Sequence, residues 1–149
     1  MTSKERVLER ERQRGYEAAK KIQANADTMT GTELYAVEDS IPSFTAACKT
    51  KNMLERPVGF TCVSTAGRVV RLIQPYDSNV YTQEPEQLTA QWGFKWSTDP
   101  AYALPFIALS TSPYNIGECC TYEGKTWRSG QANNVWAPGT TGAAWEEVV

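Results

Sequence analysis

Residues Asn115–Val149 read NIGECCTYEGKTWRSGQANNVWAPGTTGAAWEEVV, and the spacing of their large rings sets the expected fold. Trp127, Trp136 and Trp145 fall in a stretch punctuated by Gly117, Gly124 and Pro138. Large aromatic side chains are costly to leave in water, so each belongs in a core or on a surface that meets a partner. The residues on either side of "EGK" predict a strand, a tight turn and a second strand. A loop rich in Asn, Gln and Pro then leads to a last short strand holding Trp145.

The same order occurs upstream, between Arg56 and Phe94. Val58-Gly59 aligns with Ile116-Gly117, Cys62 with Cys120, Gly67 with Gly124, Arg71 with Arg128 and Gln74 with Gln131. After a short gap Asn79-Val80-Tyr81 meets Asn134-Val135-Trp136, Pro85 meets Pro138, and Trp92 meets Trp145. Ahead of these, Pro42 meets Pro100 and Phe44 meets Tyr102. An ordered series of this kind reads as a duplication. In each unit a Gly opens the first strand and a Gly-bearing turn closes the hairpin, where positive φ is needed. Alternation puts Val69, Arg71 and Ile73 on one face of the second strand, with Val70 and Leu72 on the other. A unit this small needs a large ring to close its core, which makes Trp92 and Trp145 the expected core tryptophans.

A different piece precedes the repeats. "TSKE" predicts a helix capping box from Thr2 to Glu5, with helix formers running to about Ala26. Its apolar positions are sparse: Leu8, Tyr16, Ala19, Ile22 and Ala26. Gly15 interrupts them, and Arg12 sits where the stripe wants an apolar residue. The helix reads either as a solvated element or as a docking stripe formed by Leu8, Ala19, Ile22 and Ala26. The expected class is therefore mainly β, two tandem small three-stranded β repeats preceded by an N-terminal α-helix. Its divisions are a charged docking or oligomerisation helix over 1–28, a linker over 29–41, and repeats over 42–97 and 98–149.

Composition narrows the function. The chain has 149 residues, 41% hydrophobic and 21% charged, a globular balance. Its net charge of −2 argues against nucleic acid as a partner. Residues 1–27 hold a local +2, which leaves −4 on the rest. No apolar run approaches the roughly 20 residues that cross a bilayer, so no membrane association is expected. The first residues lack the apolar core of a signal peptide, and a cytosolic place of synthesis is expected. There is no histidine, which removes Ser-His-Asp and Cys-His catalysis and imidazole metal sites. Cys48, Cys62, Cys119 and Cys120 lack CxxC spacing and read as free thiols, with adjacent Cys119 and Cys120 on opposite faces. No cofactor and no metal site is expected.

The order Gly117, Cys120, Tyr122, Gly124-Lys125, Trp127, Pro138, Trp145 resembles the small chitin-binding carbohydrate modules of families five and twelve. Those modules usually carry Val at the place of Cys120 and Tyr at the place of Trp127. They are often appended to chitinases and to phage tail proteins. The resemblance covers about Pro113–Val149 and, more loosely, Arg56–Phe94. The stretches RLIQPYDSNVYTQEPEQLTAQWGFKWSTDP and NVWAPGTTG also resemble small proteins of tailed phages and prophages of gut Firmicutes, commonly labelled carbohydrate-binding. Such modules stack flat rings on the C–H face of a pyranose, usually through an adjacent aromatic pair. This chain offers single rings instead, Trp136 and its counterpart Tyr81, with Tyr76 and Trp127 as supports. Asn79, Asn133, Asn134 and Gln131 supply amides able to donate to and accept from sugar hydroxyls.

The resemblance implies a non-enzymatic virion protein, a tail, baseplate-fibre or decoration component present in many copies. Its expected partners are other phage structural proteins, further copies of itself, and host-surface polysaccharide. The alternative is a purely architectural capsid decoration or connector whose repeats bind only other virion subunits. A glycosidase would need two carboxylates facing across a cleft. Glu84, Glu86, Glu118, Glu123, Glu146 and Glu147 are instead expected on turns and at the chain end.

Overall fold

The computed structural model describes residues 1–149. Helix α1 (Ser3–Asn25) opens on the reciprocal capping box, with Glu5 N–H donating to Thr2 Oγ1 at 3.1 Å and Thr2 N–H to Glu5 Oε2 at 2.6 Å. Residues 3–18 are exposed on every face, and only Ala19, Ile22 and Gln23 of the helix are half-buried. At 1.5 Å per residue, roughly 24 Å of helix stands clear of the body. Its root is clasped: the Gln23 side-chain amide donates to Thr61 O at 2.5 Å and accepts from Thr61 N–H at 3.0 Å. The expected docking stripe is thereby divided. Leu8 is free, but Ile22 packs on the chain's own core, and Ala26 lies past the helix, 1% exposed inside it.

The expected linker over 29–41 is a packed element. Thr30 and Glu33 form a second capping box, and α2 (Gly31–Ala36) buries Leu34 and Tyr35 completely. Turn-forming residues disguise it, although T-x-x-E followed by two apolar residues is itself a helix signal. Gly31 is obligatory here, since a Cβ would fall 2.0 Å from Trp96 O. Tyr35 O–H donates to Lys95 O at 2.9 Å and accepts from Val69 N–H at 3.1 Å, which fastens α2 to the sheet.

Helix α3 (Phe44–Thr50) leads into two small sheets. The first joins β1 (Thr61–Val63), β2 (Val69–Leu72) and β3 (Trp92–Phe94) in antiparallel order. The second runs β4 (Leu104–Pro105), β5 (Cys119–Tyr122), β6 (Lys125–Ser129), β7 (Trp145–Val148), with β4 parallel to β5. The sheets thus have three and four strands rather than three each. Helix exceeds strand, 34% against 19%, so the mainly β expectation gives way to a mixed fold.

The two sheets share a backbone register. Gly59, at φ 94°, and Gly117, at φ 89°, each take the positive-φ place of a turn closed by Phe60 N–H to Pro57 O and Glu118 N–H to Asn115 O. Gly59 N–H then reaches Leu72 O, and Gly117 N–H reaches Ser129 O, both at 2.8 Å. Cys62 faces Val70 across its ladder as Cys120 faces Trp127, and Trp92 faces Leu72 as Trp145 faces Ser129.

Both sheets contribute to one principal core. Cys62, Val70, Leu72, Trp92 and Phe94 from the first meet Tyr114 and Cys120 of the second half. Phe94, Trp96, Tyr114 and Phe106 form a continuous stack, with centroids 5.9, 4.4 and 5.5 Å apart and planes within 21°. Trp92 is 0% exposed, held edge-on by Phe44 and Tyr76, and its indole N–H donates to Tyr76 O–H at 3.0 Å. Trp145 departs from expectation, being only half-buried. It lies on an edge strand, packing edge-on against Tyr114 and Phe106 while no further strand covers it. Arg68 ties the halves together, donating to Pro105 O at 2.8 Å and pairing with Glu86 at 3.7 Å. The opposite face of the first sheet presents Val69 to a smaller cluster with Ala26, Leu34, Tyr35 and Ile41.

These burials predict unequal tryptophan substitutions. Trp92→Ala should destabilise by about 3–5 kcal/mol, and Trp145→Ala by distinctly less, measured by urea denaturation. Equal losses would show that the edge position of Trp145 has no energetic meaning.

Candidate functional site

The ring positions singled out by sequence divide by exposure. Trp136 and Tyr81 are open, at 51% and 53%. Trp127 is half-buried against the core with its indole N–H donating to Tyr122 O at 3.3 Å. Tyr76 is buried, its hydroxyl taken by Trp92, and burial pushes its pKa up to about 12. It supports the core and offers no ring to a ligand.

The amides divide as well. Asn134 is completely buried: its side-chain NH₂ donates to Ser129 Oγ at 3.1 Å and Ala143 O at 2.7 Å, and its Oδ1 accepts from Trp136 N–H at 3.3 Å. Backbone bonds in both directions with Tyr114 complete its pairing. Asn134 is a structural staple, not a sugar contact. Gln131 is half-buried, its backbone exchanging bonds with Ser129 Oγ. Asn133 is exposed at φ 52°, a left-handed place that Asn tolerates better than most residues. Asn79 is exposed beside Tyr81.

One groove gathers the usable groups. It encloses about 550 Å³ between α3 and the 78–84 loop, lined by Tyr81, Asn79, Thr82, Ser78, Lys49 and Glu84. The loop is fixed from beneath. Asn52 donates to Asp77 Oδ1 at 2.9 Å and accepts from Ser78 N–H at 3.2 Å, while Asn79 N–H also reaches Asp77 Oδ1 at 3.0 Å. The Asn52 bond, with help from the Asn79 N–H, holds the Asp77 carboxyl below its ordinary range. Tyr81 N–H closes the turn on Asp77 O at 3.0 Å. Trp136 is not part of this groove; its carbonyl accepts the Trp145 indole N–H at 2.7 Å. The two counterpart rings therefore do not form one stacking surface there.

A second, polar cleft of about 530 Å³ lies on the seam between the sheets, lined by Arg71, Lys95, Glu118, Asn115, Ile73 and Gly93. Arg71 is paired with Asp27, and Lys95 Nζ donates to Met29 O at 3.2 Å. Burial raises the Glu118 pKa despite the Asn115 N–H it accepts at 2.6 Å. The carboxylates are dispersed: Glu84 lines the Tyr81 groove, Glu86 pairs with Arg68, and Glu146 and Glu147 lie on β7. No three Cys, Asp and Glu side chains are grouped to hold a metal ion. All four cysteines are free; Cys120 joins the core, while Cys119 Sγ approaches Gly117 O at 3.5 Å.

Trp96, 4% exposed, was not among the expected core tryptophans. Its signal was the period of two in Trp92, Phe94, Trp96, which places all three on one face.

Two predictions follow from these placements. Asn134→Ala should cost about 1–3 kcal/mol by stranding buried partners, whereas Tyr81→Ala and Trp136→Ala should stay within about 0.5 kcal/mol of wild type; thermal and urea unfolding would measure all three. Glu118 has a folded pKa above its unfolded one, so the folded chain loses stability as pH rises through that window. Glu118→Gln should therefore stabilise at neutral pH, with the gain vanishing near about pH 3.5, where both states are protonated. A gain independent of pH would remove burial of the charge as its cause.

No protein-family model, no curated protein and no solved structure matches the chain.

Proposed function

We propose that this chain is a non-enzymatic structural component of a tailed-phage virion that presents a glycan-contact groove. The observation that carries the glycan reading is the Tyr81 ring, exposed above a fixed loop among Asn79, Ser78 and Thr82. A flat ring supplies the stacking face, and the amide and hydroxyls supply paired donors and acceptors of the kind sugars require. The virion assignment rests on the resemblance of the stretches RLIQPYDSNVYTQEPEQLTAQWGFKWSTDP and NVWAPGTTG to small tailed-phage proteins. A single weak site gains from display in many copies, because linked sites raise avidity without new contacts.

The projecting helix favours a second reading, an architectural decoration or connector that binds only other virion subunits. Residues 3–18 are exposed, and no helix of the chain is long and apolar enough to cross a membrane. The two readings separate by experiment. Wild-type protein should be retained on chitin or on purified host-wall polysaccharide, and Tyr81→Ala should weaken retention by about tenfold with no change in melting temperature. If neither polysaccharide retains the wild type, the glycan reading fails. Removing residues 1–18, and no further, should leave the protein folded but absent from purified particles. Truncation to residue 28 would be uninformative, since it removes Ile22, Gln23 and Ala26 from the core and the clasp.

A further inference from the structure

Two charged side chains line the Tyr81 groove, Glu84 and Lys49, and neither belongs to an ion pair. Their circumstances differ. Glu84 is half-buried and anchored, because its Oε1 accepts from Thr65 N–H at 3.0 Å, while no ion pair holds Oε2. Lys49 is exposed in the last turn of α3, its ammonium carried on a flexible four-carbon stem. Cys48 also lines the groove, and its thiol is pushed up chiefly by burial and further by the Glu84 charge, which marks that carboxylate as a neighbour. Asp77 adds a second carboxylate at the base of the same loop. The fixed charge around the Tyr81 ring is thus negative.

We infer that this groove selects glycans whose hexosamines carry a free primary amine, the sugar ammonium being held by Glu84 beside the Tyr81 ring. The inference rests on the glycan-contact reading of the groove and names the sugar class it takes. An ammonium close to an aromatic face is attracted by the ring quadrupole. A carboxylate already fixed by a backbone N–H gives up little further side-chain freedom when it forms an ion pair. Asn79 and Thr82 are left to serve the ring hydroxyls.

Other sugars meet the same groups less well. An N-acetyl group is neutral, so its N–H offers Glu84 an ordinary hydrogen bond in place of a charge-assisted one, which is roughly twice as strong. Anionic wall polymers face Glu84 and Asp77, on a chain that carries −4 beyond residue 27. Lys49 acts as the groove's own competitor, a mobile cation that repels the ligand amine.

The test is a titration of the full chain, followed through its amide resonances by NMR, with soluble glucosamine oligomers and with N-acetylglucosamine oligomers of equal length. At about pH 6, above the ordinary carboxylate range and below that of amines, the free-amine oligomer should bind at least about fivefold more tightly. It should shift the amides of residues 78–84, and its advantage should shrink as salt rises. Glu84→Gln keeps an acceptor for Thr65 N–H, so it should melt as wild type does and lose the preference. Lys49→Ala should widen the preference. Glu146→Gln, an exposed change on the second sheet, should leave it unaltered. Tighter binding of the acetylated oligomer, or equal losses from Glu84→Gln and Glu146→Gln, would overturn the selection. Equal affinity for both oligomers, abolished by Tyr81→Ala, would overturn it while leaving the glycan reading intact. If neither oligomer binds, the amine selection fails, and the glycan reading then stands or falls on retention by wall polysaccharide.

Discussion

The contact between Trp96 and Tyr114, stacked 4.4 Å apart, is where the two halves become one protein. Trp96 follows the last strand of the first sheet, and Tyr114 precedes the first turn of the second hairpin. Each ring is also fixed by polar bonds: the Trp96 indole N–H donates to Ser112 O at 2.9 Å, and Tyr114 exchanges backbone bonds with Asn134. Ser112 Oγ accepts from Phe94 N–H at 2.9 Å, so a single serine sets both neighbouring rings. Aromatic pairs in offset contact are worth about 0.5–1.5 kcal/mol beyond their buried area. A run of four rings in line leaves neither sheet with a core of its own.

That shared core explains why equivalent residues serve different ends. Asn79 and Asn134 occupy matching places in sequence, yet one is exposed beside a groove and the other is sealed inside. In the second half the loop pairs with Tyr114 of the aromatic stack, and its amide is drawn in to satisfy Ser129 and Ala143. In the first half Asn52, on the segment after α3, does the pinning from below. Tyr81 and Asn79 are consequently left facing water.

Local chemistry was the legible part. The Thr2–Glu5 box, the glycines at positive φ and the closing role of Trp92 depend on neighbours in sequence or on size alone. The α2 segment was missed although its signal was of the same kind, because turn-forming residues around Thr30 outweighed the box. Other departures depend on distant partners. Tyr76 is buried because Trp92 takes its hydroxyl, and Trp145 is half-open because the second sheet ends at β7. The parallel strand β4 has only two residues, Leu104 and Pro105, and no periodicity announces it. Of the candidate ligand residues, Tyr81, Asn79, Asn133 and Trp136 remain open, while Tyr76 and Asn134 belong to the interior.

Gln23 completes the account of the first sheet in a way that reaches beyond its own stability. Strand β1 lies at a sheet margin, where unpaired backbone groups invite any passing strand to add on. The Gln23 amide offers Thr61 one donor and one acceptor, the same pair a neighbouring strand would present. A helix side chain thus impersonates a strand and blunts the margin. Any force that levers α1 from its root uncovers the Thr61 part of that margin, while the bridge from Ser43 to Val63 still covers the other end. The protection of this sheet margin is therefore shared between the root of α1 and the segment that leads into α3.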